Sequence, residues 1–232
     1  MVRRRVEAAE ERSARQRILD SAFAAFAQNG FAETSTLEIA TRARVSKREL
    51  YALVGNKTEM LIACISARAE RLKAPADLAV PRDREALAHT LAAFGVQLLR
   101  EISDPAVMAV FRLAIAEATR APEVARTLDT IGRQAGRASV SEMMAGARSN
   151  GLLDGEPAEM AERFTALLWG NLMVSLLLGV AERPGPRGIA RRARDATAAL
   201  LRLYPKPDDT NSPSSSRPKE SRDTTAPGKV LE

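Results

Sequence analysis

The 232-residue sequence contains one cysteine, one histidine and few aromatic residues, and each shortage excludes a class of protein. Cys64 cannot form an internal disulfide, and His89 cannot build a zinc site with that cysteine alone. Aromatic residues make up 4% of the chain, which argues against a base-stacking platform for single strands. There is no glycine-rich phosphate loop, and His89 has no evident catalytic partner. The sequence therefore predicts neither an enzyme nor a metal or cofactor site.

The abundant residues are helix formers and cations. Hydrophobic residues make up 45% of the chain, enough to bury a sizeable core in one large or two modest domains. Ala, Leu, Arg and Glu dominate, so we predict an all-α protein of about nine helices. The net charge of +6 and the pI near 10.0 favour an anionic partner.

Neither a secretory signal nor a membrane span is evident, so we expect a cytoplasmic protein without a membrane partner. The basic residues 1–12 have no apolar stretch behind them; their arginines could reach into a DNA minor groove or remain solvated. The most apolar stretch, Ala166–Ala181, is shorter than the ~18–20 residues needed to cross a bilayer. It also contains Asn171 and Ser175.

The segment from Gly30 to Lys57 predicts two short helices joined by a tight turn. Ser35 stands three residues before Glu38, the spacing of a capping box, and Ser46 can cap the second helix. Free N–H groups and the helix dipole attract anions, so two capped N-termini beside several cations suit a phosphate backbone. The pattern is typical of a helix-turn-helix, which places its second helix in the major groove.

Composition shifts divide the chain around this unit. A helix predicted from Ser13 to Gln28 precedes the pair, and the segment Pro75–Pro81 separates the unit from a larger helical domain. The end of the chain is rich in Pro, Ser, Thr and charge, which predicts disorder. The predicted divisions are a flexible basic arm over 1–12, a three-helix DNA-binding domain over 13–57, a linking helix over 58–73, a larger helical domain over 82–204, and a disordered tail over 205–232.

Prolines at first-turn positions and glycine stop signals delimit the helices of the larger domain. The predicted helices span Glu85–Ile102, Pro105–Ala118, Pro122–Asn150, Pro157–Gly179 and Arg187–Leu203. A helix that is apolar nearly all round must be buried, either within the monomer or against a second copy. We predict a homodimer, because two half-sites double the base contacts and match a palindromic operator.

The helix-turn-helix segment resembles the tetracycline-repressor-like (TetR) family of regulators. The matching residues are Gly30 and Phe31, Thr34 and Ser35, Ile39 and Ala40, Ala43, Val45 and Ser46, Leu50 and Tyr51, and Asn56 and Lys57. A looser match in the larger domain, FRLAIAEATRAPEVARTL followed by NGLLDGEPAEMAERFTALLWG, resembles the AefR-like subgroup of that family.

The resemblance implies roles for individual residues. Lys47 and Arg48, which follow the Ser46 cap, become candidates for contacts with base edges. Arg44 stands where the family most often has glycine, so a left-handed conformation there would carry roughly 1 kcal/mol of strain. The full set of DNA-binding candidates is Ser35, Thr36, Arg44, Ser46, Lys47, Arg48, Tyr51 and Lys57, of which Ser35, Thr36, Tyr51 and Lys57 are expected to hold phosphates.

The resemblance also implies an unknown small-molecule effector in the larger domain. Methionine and aromatic side chains make an adaptable apolar cavity, although the same residues could be ordinary core. The candidates are Phe94, Met108, Phe111, Arg112, Met143, Trp169 and Met173.

Together these features predict a dimeric DNA-binding transcription regulator with a palindromic operator in double-stranded DNA. The resemblance implies that it is a repressor and that a small-molecule ligand releases it from that operator. Two alternatives are open. One is a helical interaction module with a degenerate DNA-binding head, for which Arg44 and Glu49 speak. The other is an enzyme in the helical domain.

Overall fold

The computed structural model describes residues 2–74, 81–120 and 122–206, with side chains from residue 10 onward. Every regular element in these ranges is helical, which confirms the predicted all-α class. The helices are α1 Val2–Glu33, α2 Thr36–Ala43, α3 Lys47–Val54, α4 Lys57–Ala69, α5 Arg84–Ile102, α6 Pro105–Ala116, α7 Pro122–Thr127, α8 Gln134–Ser149, α9 Pro157–Trp169, α10 Leu172–Leu178 and α11 Pro186–Leu203. A 3₁₀ turn spans Glu70–Leu72, and a π-helical segment spans Leu128–Arg133.

Helix α1 begins at Val2 rather than at Ser13, so the backbone of residues 2–12 is helical where the sequence predicts a flexible arm. The side chains of the basic residues at its start lie outside the described part. Gly30 kinks this helix with φ 81°, a left-handed value that glycine adopts without a steric penalty. The buried Thr34 hydroxyl donates to the carbonyl oxygens of Gly30 and Ala25, at 2.6 and 3.2 Å, which fixes the chain beyond the kink.

Helices α1 to α4 form the head of the molecule around one apolar core. Its most deeply buried large side chains are Ile18, Phe26, Ile39, Leu50, Met60 and Leu61. The same cluster includes Val110 of α6, Val124 of α7 and Leu128 of the π-helical segment. The head and the helices after it therefore share one apolar core, so a movement of either would change the packing of the other.

Helices α5, α8, α9 and α11 form the body of the molecule around a second apolar core. This core contains Leu87, Leu91, Phe94, Leu98, Met108, Met144, Phe164, Leu168 and Leu200. Gly95 allows α5 to approach its neighbours closely, because a Cβ there would lie 3.2–3.3 Å from atoms of Leu168, Ala193 and Phe164. Close packing of this kind makes the body rigid around α5.

Two long helices predicted from the sequence are interrupted. The helix predicted over Pro122–Asn150 is divided by the π-helical segment, and the one over Pro157–Gly179 ends at Trp169. Gly170, with φ 45°, turns the chain before α10 begins. The apolar pattern continues across both interruptions, so helical periodicity alone could not reveal them.

Parts of the predicted organisation lie outside the described residues. These are most of the seam at Pro75–Pro81 and the tail beyond residue 206. Within the described ranges, no helix combines the length and the apolar character needed to span a membrane.

Candidate nucleic-acid interface

The start of α2 is capped by Ser35, whose hydroxyl accepts a hydrogen bond from the Glu38 backbone N–H at 3.1 Å. The predicted capping box is only half formed. The Glu38 carboxylate turns instead to Asn29, which donates to it at 3.1 Å, and to Arg42 at 2.9 Å. One edge of α2 is thereby attached to the end of α1.

The turn between α2 and α3 depends on Arg44, which adopts the left-handed conformation with φ 56° and ψ 47°. Among the described residues it is the only one other than glycine with positive φ. Its backbone N–H donates to Thr41, and that of Val45 donates to Ala40, which closes the end of α2. The strain predicted for Arg44 is therefore present, while its side chain is exposed.

Helix α3 presents a charged surface and is anchored by Leu50, with Leu53 and Val54 also packed against the head core. Ser46 caps its N-terminus by accepting the Glu49 N–H at 3.1 Å, and Leu50 is completely buried. Lys47 and Arg48 are exposed. An exposed helix N-terminus flanked by cations offers both N–H groups and positive charge to an anion.

A contact between side chains joins α2 to this surface. The hydroxyl groups of Thr36 and Tyr51 lie 3.3 Å apart, and the Lys47 ammonium stands 5.9 Å from the centre of the Tyr51 ring. Tyr51 is 44% exposed, so its hydroxyl group is accessible from outside. The structure thus brings Thr36, Lys47 and Tyr51 together.

The negative charge on α3 faces away from these cations. Glu49 lines a shallow cleft with Glu10, Glu11 and Arg17 of α1. Arg17 also donates to the carbonyl oxygen of Ala43 at 3.2 Å, and so holds the end of α2. This contact joins residues 26 positions apart, so no local pattern in the sequence indicates it.

Lys57 differs most from its predicted role as a phosphate contact. It is the first residue of α4, and its ammonium donates to the carbonyl oxygens of Ala32 and Thr34, both at 3.0 Å. The same ammonium lies 4.6 Å from the centre of the Phe31 ring. A lysine has three N–H groups, so two are used inside the protein and one is left to point outward.

Replacing Lys57 with methionine should therefore lower the free energy of unfolding by about 1–2 kcal/mol, because it removes two charge-assisted hydrogen bonds and a cation–π interaction. If the third N–H holds a phosphate, the plot of log affinity against log salt should also become shallower by about one ion. Denaturant titration and binding at several salt concentrations measure the two effects. Lys73→Met, which removes an exposed lysine paired with Glu70, is the control. Unchanged stability would contradict the bonding role, and an unchanged slope would contradict the phosphate role.

The residues predicted to line a ligand site do not converge on one cavity. Phe94, Met108 and Met143 are buried in the body core. Arg112 is exposed, and its guanidinium donates to the carbonyl oxygens of Leu176 and Leu177 at the end of α10. The other three are half-buried: Met173 packs on the body core, Phe111 lines a small cavity, and Trp169 lines an open cleft.

The small cavity lies where the head meets the body, and it has a volume of about 40 Å³. Its lining is almost wholly apolar and includes Phe23 of α1, Ile65 of α4 and Leu128 of the π-helical segment. Leu72 and Ile102 separate it from the open cleft, which measures about 430 Å³. Sites for drug-sized ligands hold roughly 300–1,000 Å³, so the small cavity is too small for such a ligand, whereas the volume of the cleft beside it falls within that range.

Charged groups at the rim of the cavity connect α4 to α5. Glu101 lies 3.6 Å from the Arg68 guanidinium and 3.9 Å from that of Arg71. Arg68 also covers the Phe23 ring, at 4.6 Å from its centre. These contacts join α4 and the 3₁₀ turn after it to α5 across the rim of the cavity.

Cys64 lies in the head core, where its thiol donates to the Leu19 carbonyl oxygen at 3.4 Å. Burial, followed by the nearby charge of Asp20, raises the pKa of this thiol from 9.0 to about 12. The reactive thiolate is therefore scarce at neutral pH.

We expect Cys64 in the native protein to react with an aromatic disulfide reagent at pH 8 only as fast as the head unfolds. Because the pKa of the Cys64 thiol is higher in the folded than in the unfolded protein, its contribution to the free energy of unfolding is fully present below pH 9. That contribution is lost as the pH rises toward 12. Absorbance at the reagent's thiolate band measures the rate, with the denatured protein as reference. Rapid reaction of the native protein would contradict the assignment of Cys64 as a structural residue.

Two protein-family models match the sequence of this chain. Residues 18–64 match the model of bacterial regulatory proteins of the tetR family, and residues 89–206 match that of the AefR-like transcriptional repressor, C-terminal domain. No match was found among curated proteins.

Solved structures similar to the chain include several regulators. A TetR transcriptional regulator from Agrobacterium tumefaciens is 27% identical, with a TM-score of 0.71 over 83% of this chain and 95% of that one. The flavonoid-responsive regulator FrrA is also 27% identical, with a TM-score of 0.65 over 84% and 97%. A TetR family transcriptional regulator from Pseudomonas syringae pv. tomato is 25% identical, with a TM-score of 0.61 over 82% and 96%.

Proposed function

Because the chain belongs to the TetR family of DNA-binding transcription regulators, we propose that it is a dimeric repressor that a small molecule releases from a palindromic operator. The family is one of regulators rather than of enzymes, so no catalytic site is expected. The description of the AefR-like domain as that of a transcriptional repressor supports repression over activation.

The capped helix-turn-helix is the observation that carries this proposal. Ser46 caps α3, Leu50 anchors it, and the cations Lys47 and Arg48 are exposed beside its N-terminus. A helix held in this way can enter the major groove with its N-terminal side chains toward the base edges. The Thr36–Tyr51 pair, together with the cap at Ser35, is positioned to hold the adjacent phosphates.

The proposal of a dimer is supported by an apolar surface on and beside α10. Val174, Leu178 and Val180 are 57%, 71% and 75% exposed, and Leu167 of α9 is also exposed. Single exposed apolar residues are common, but Val174 and Leu178 stand four residues apart on one side of α10, and an exposed apolar side of a helix is typical of an interaction surface. We define Leu167, Val174, Leu178 and Val180 as the apolar surface and propose that a second copy covers it.

Release by a ligand is supported by the cavity at the junction of head and body. An effector shifts the equilibrium only if it binds one conformation better than the other. The closed cavity of about 40 Å³ has to expand to admit a ligand, so a ligand would favour a conformation with a displaced α4. The similarity to FrrA, described as flavonoid-responsive, makes flat aromatic compounds the class to test first.

The decisive experiment is the selection of bound duplexes from a random pool at moderate salt, with the native full-length protein. We expect a palindrome whose half-sites are separated by about one helical turn or a multiple of it. Salt-sensitive binding without any recovered motif would contradict sequence-specific regulation. It would favour instead a helical interaction module with a degenerate DNA-binding head.

A further inference from the structure

Leu37 is an exposed leucine in the midst of the DNA-binding head. It is the second residue of α2, it follows Thr36, and it is 63% exposed. The side chains around the start of α2 are otherwise polar or charged. An exposed apolar side chain lowers solubility unless a partner covers it. The residues around Leu37 on α2 indicate which partner that could be.

Two sides of α2 contact other parts of the head, and Leu37 lies on a third side. Ile39, Ala40 and Ala43 face the head core. Glu38 and Arg42 form a second side, and they are bonded to the end of α1 through Asn29 and Gln28. Residues four apart share a side of a helix, so Leu37 and Thr41 form the third.

The residue before Leu37 on α2 contacts the exposed surface of α3. Thr36 precedes Leu37, and its hydroxyl lies 3.3 Å from that of Tyr51. Lys47 in turn covers the Tyr51 ring. Leu37 is therefore exposed on α2 one residue from a side chain that contacts the α3 surface.

The major groove presents one apolar group, the C5 methyl of thymine. We propose that Leu37 contacts a thymine methyl group and so selects a T·A pair at one position in each operator half-site. This inference rests on the proposed DNA-binding function. It adds a specificity residue on α2 to the candidates on α3.

Deoxyuridine tests this contact, because it pairs as thymine does and lacks only the methyl group. In the duplex selected by the native protein, each thymine is replaced in turn by deoxyuridine, symmetrically in both half-sites. One position should weaken binding about fourfold per half-site, or about fifteenfold for both, as expected when one buried methyl group is removed. At that position Leu37→Ala should show no further loss, and Leu37→Met should regain sensitivity.

Ile115→Ala is the matched control, since Ile115 is 62% exposed on α6 outside the head. It should leave both affinity and deoxyuridine sensitivity unchanged. If the protein selects an operator but Leu37→Ala and deoxyuridine lower the binding affinity additively at every thymine position, the inference is overturned. The proposed function would then remain intact. Selection of no operator at all would overturn both.

Discussion

Replacing both Lys47 and Arg48 with alanine should abolish most of the sequence preference of the protein and leave its fold unchanged. Both side chains are exposed at the capped N-terminus of α3, and neither supports the head core. A good contact between a basic side chain and a guanine edge contributes about 1–3 kcal/mol of discrimination, which corresponds to about five- to 150-fold per contact. Competition between the selected operator and a scrambled duplex measures the change.

The control for this pair is Arg148→Ala, which removes an exposed arginine of α8 that pairs with Glu156 in the body. It should retain full preference. The single variants separate the two roles: each should relax a different base position, whereas removing a residue that holds a phosphate would weaken binding to all sequences equally. If the double variant selects the same motif with the same preference, the proposal that α3 contacts base edges is wrong.

Replacing Leu178 with glutamate should convert the dimer into monomers and weaken operator binding by a factor of about 100 or more. Leu178 is 71% exposed as part of the apolar surface, so the substitution costs the isolated monomer little. In a dimer the new carboxylate would be buried without a partner, which costs several kcal/mol. A monomer also contacts only one half-site. In a dimer, binding of one head raises the effective concentration of the other head at the second half-site, which tightens binding.

Light scattering and sedimentation measure the molar mass of the variant, and binding to the operator and to an isolated half-site measures its affinity. Leu37→Glu places the same charge at a similarly exposed position in the head, and its molar mass should remain that of the dimer. A Leu178→Glu protein that is still dimeric would place the interface elsewhere. A wild-type monomer would contradict the dimer itself.

The parts of the site that depend on neighbouring residues were predictable from the sequence. The caps at Ser35 and Ser46 are confirmed because each depends on contacts within a few positions along the chain. The apolar spacing likewise indicated the helices of the body. It could not locate the interruptions at Gly170 and Leu128–Arg133, because an apolar stripe runs through them.

Local sequence thus determined the helix-turn-helix, the all-α class and the positions of most helix ends. Tertiary structure alone decided which partners distant residues find. It placed the Lys57 ammonium on the end of α1, attached Arg17 to Ala43, and formed a small cavity to which Phe111 alone of the seven predicted ligand-site residues contributes. The physical reason is that caps and turns are satisfied within one helical turn, whereas charges and cavities depend on how whole helices pack.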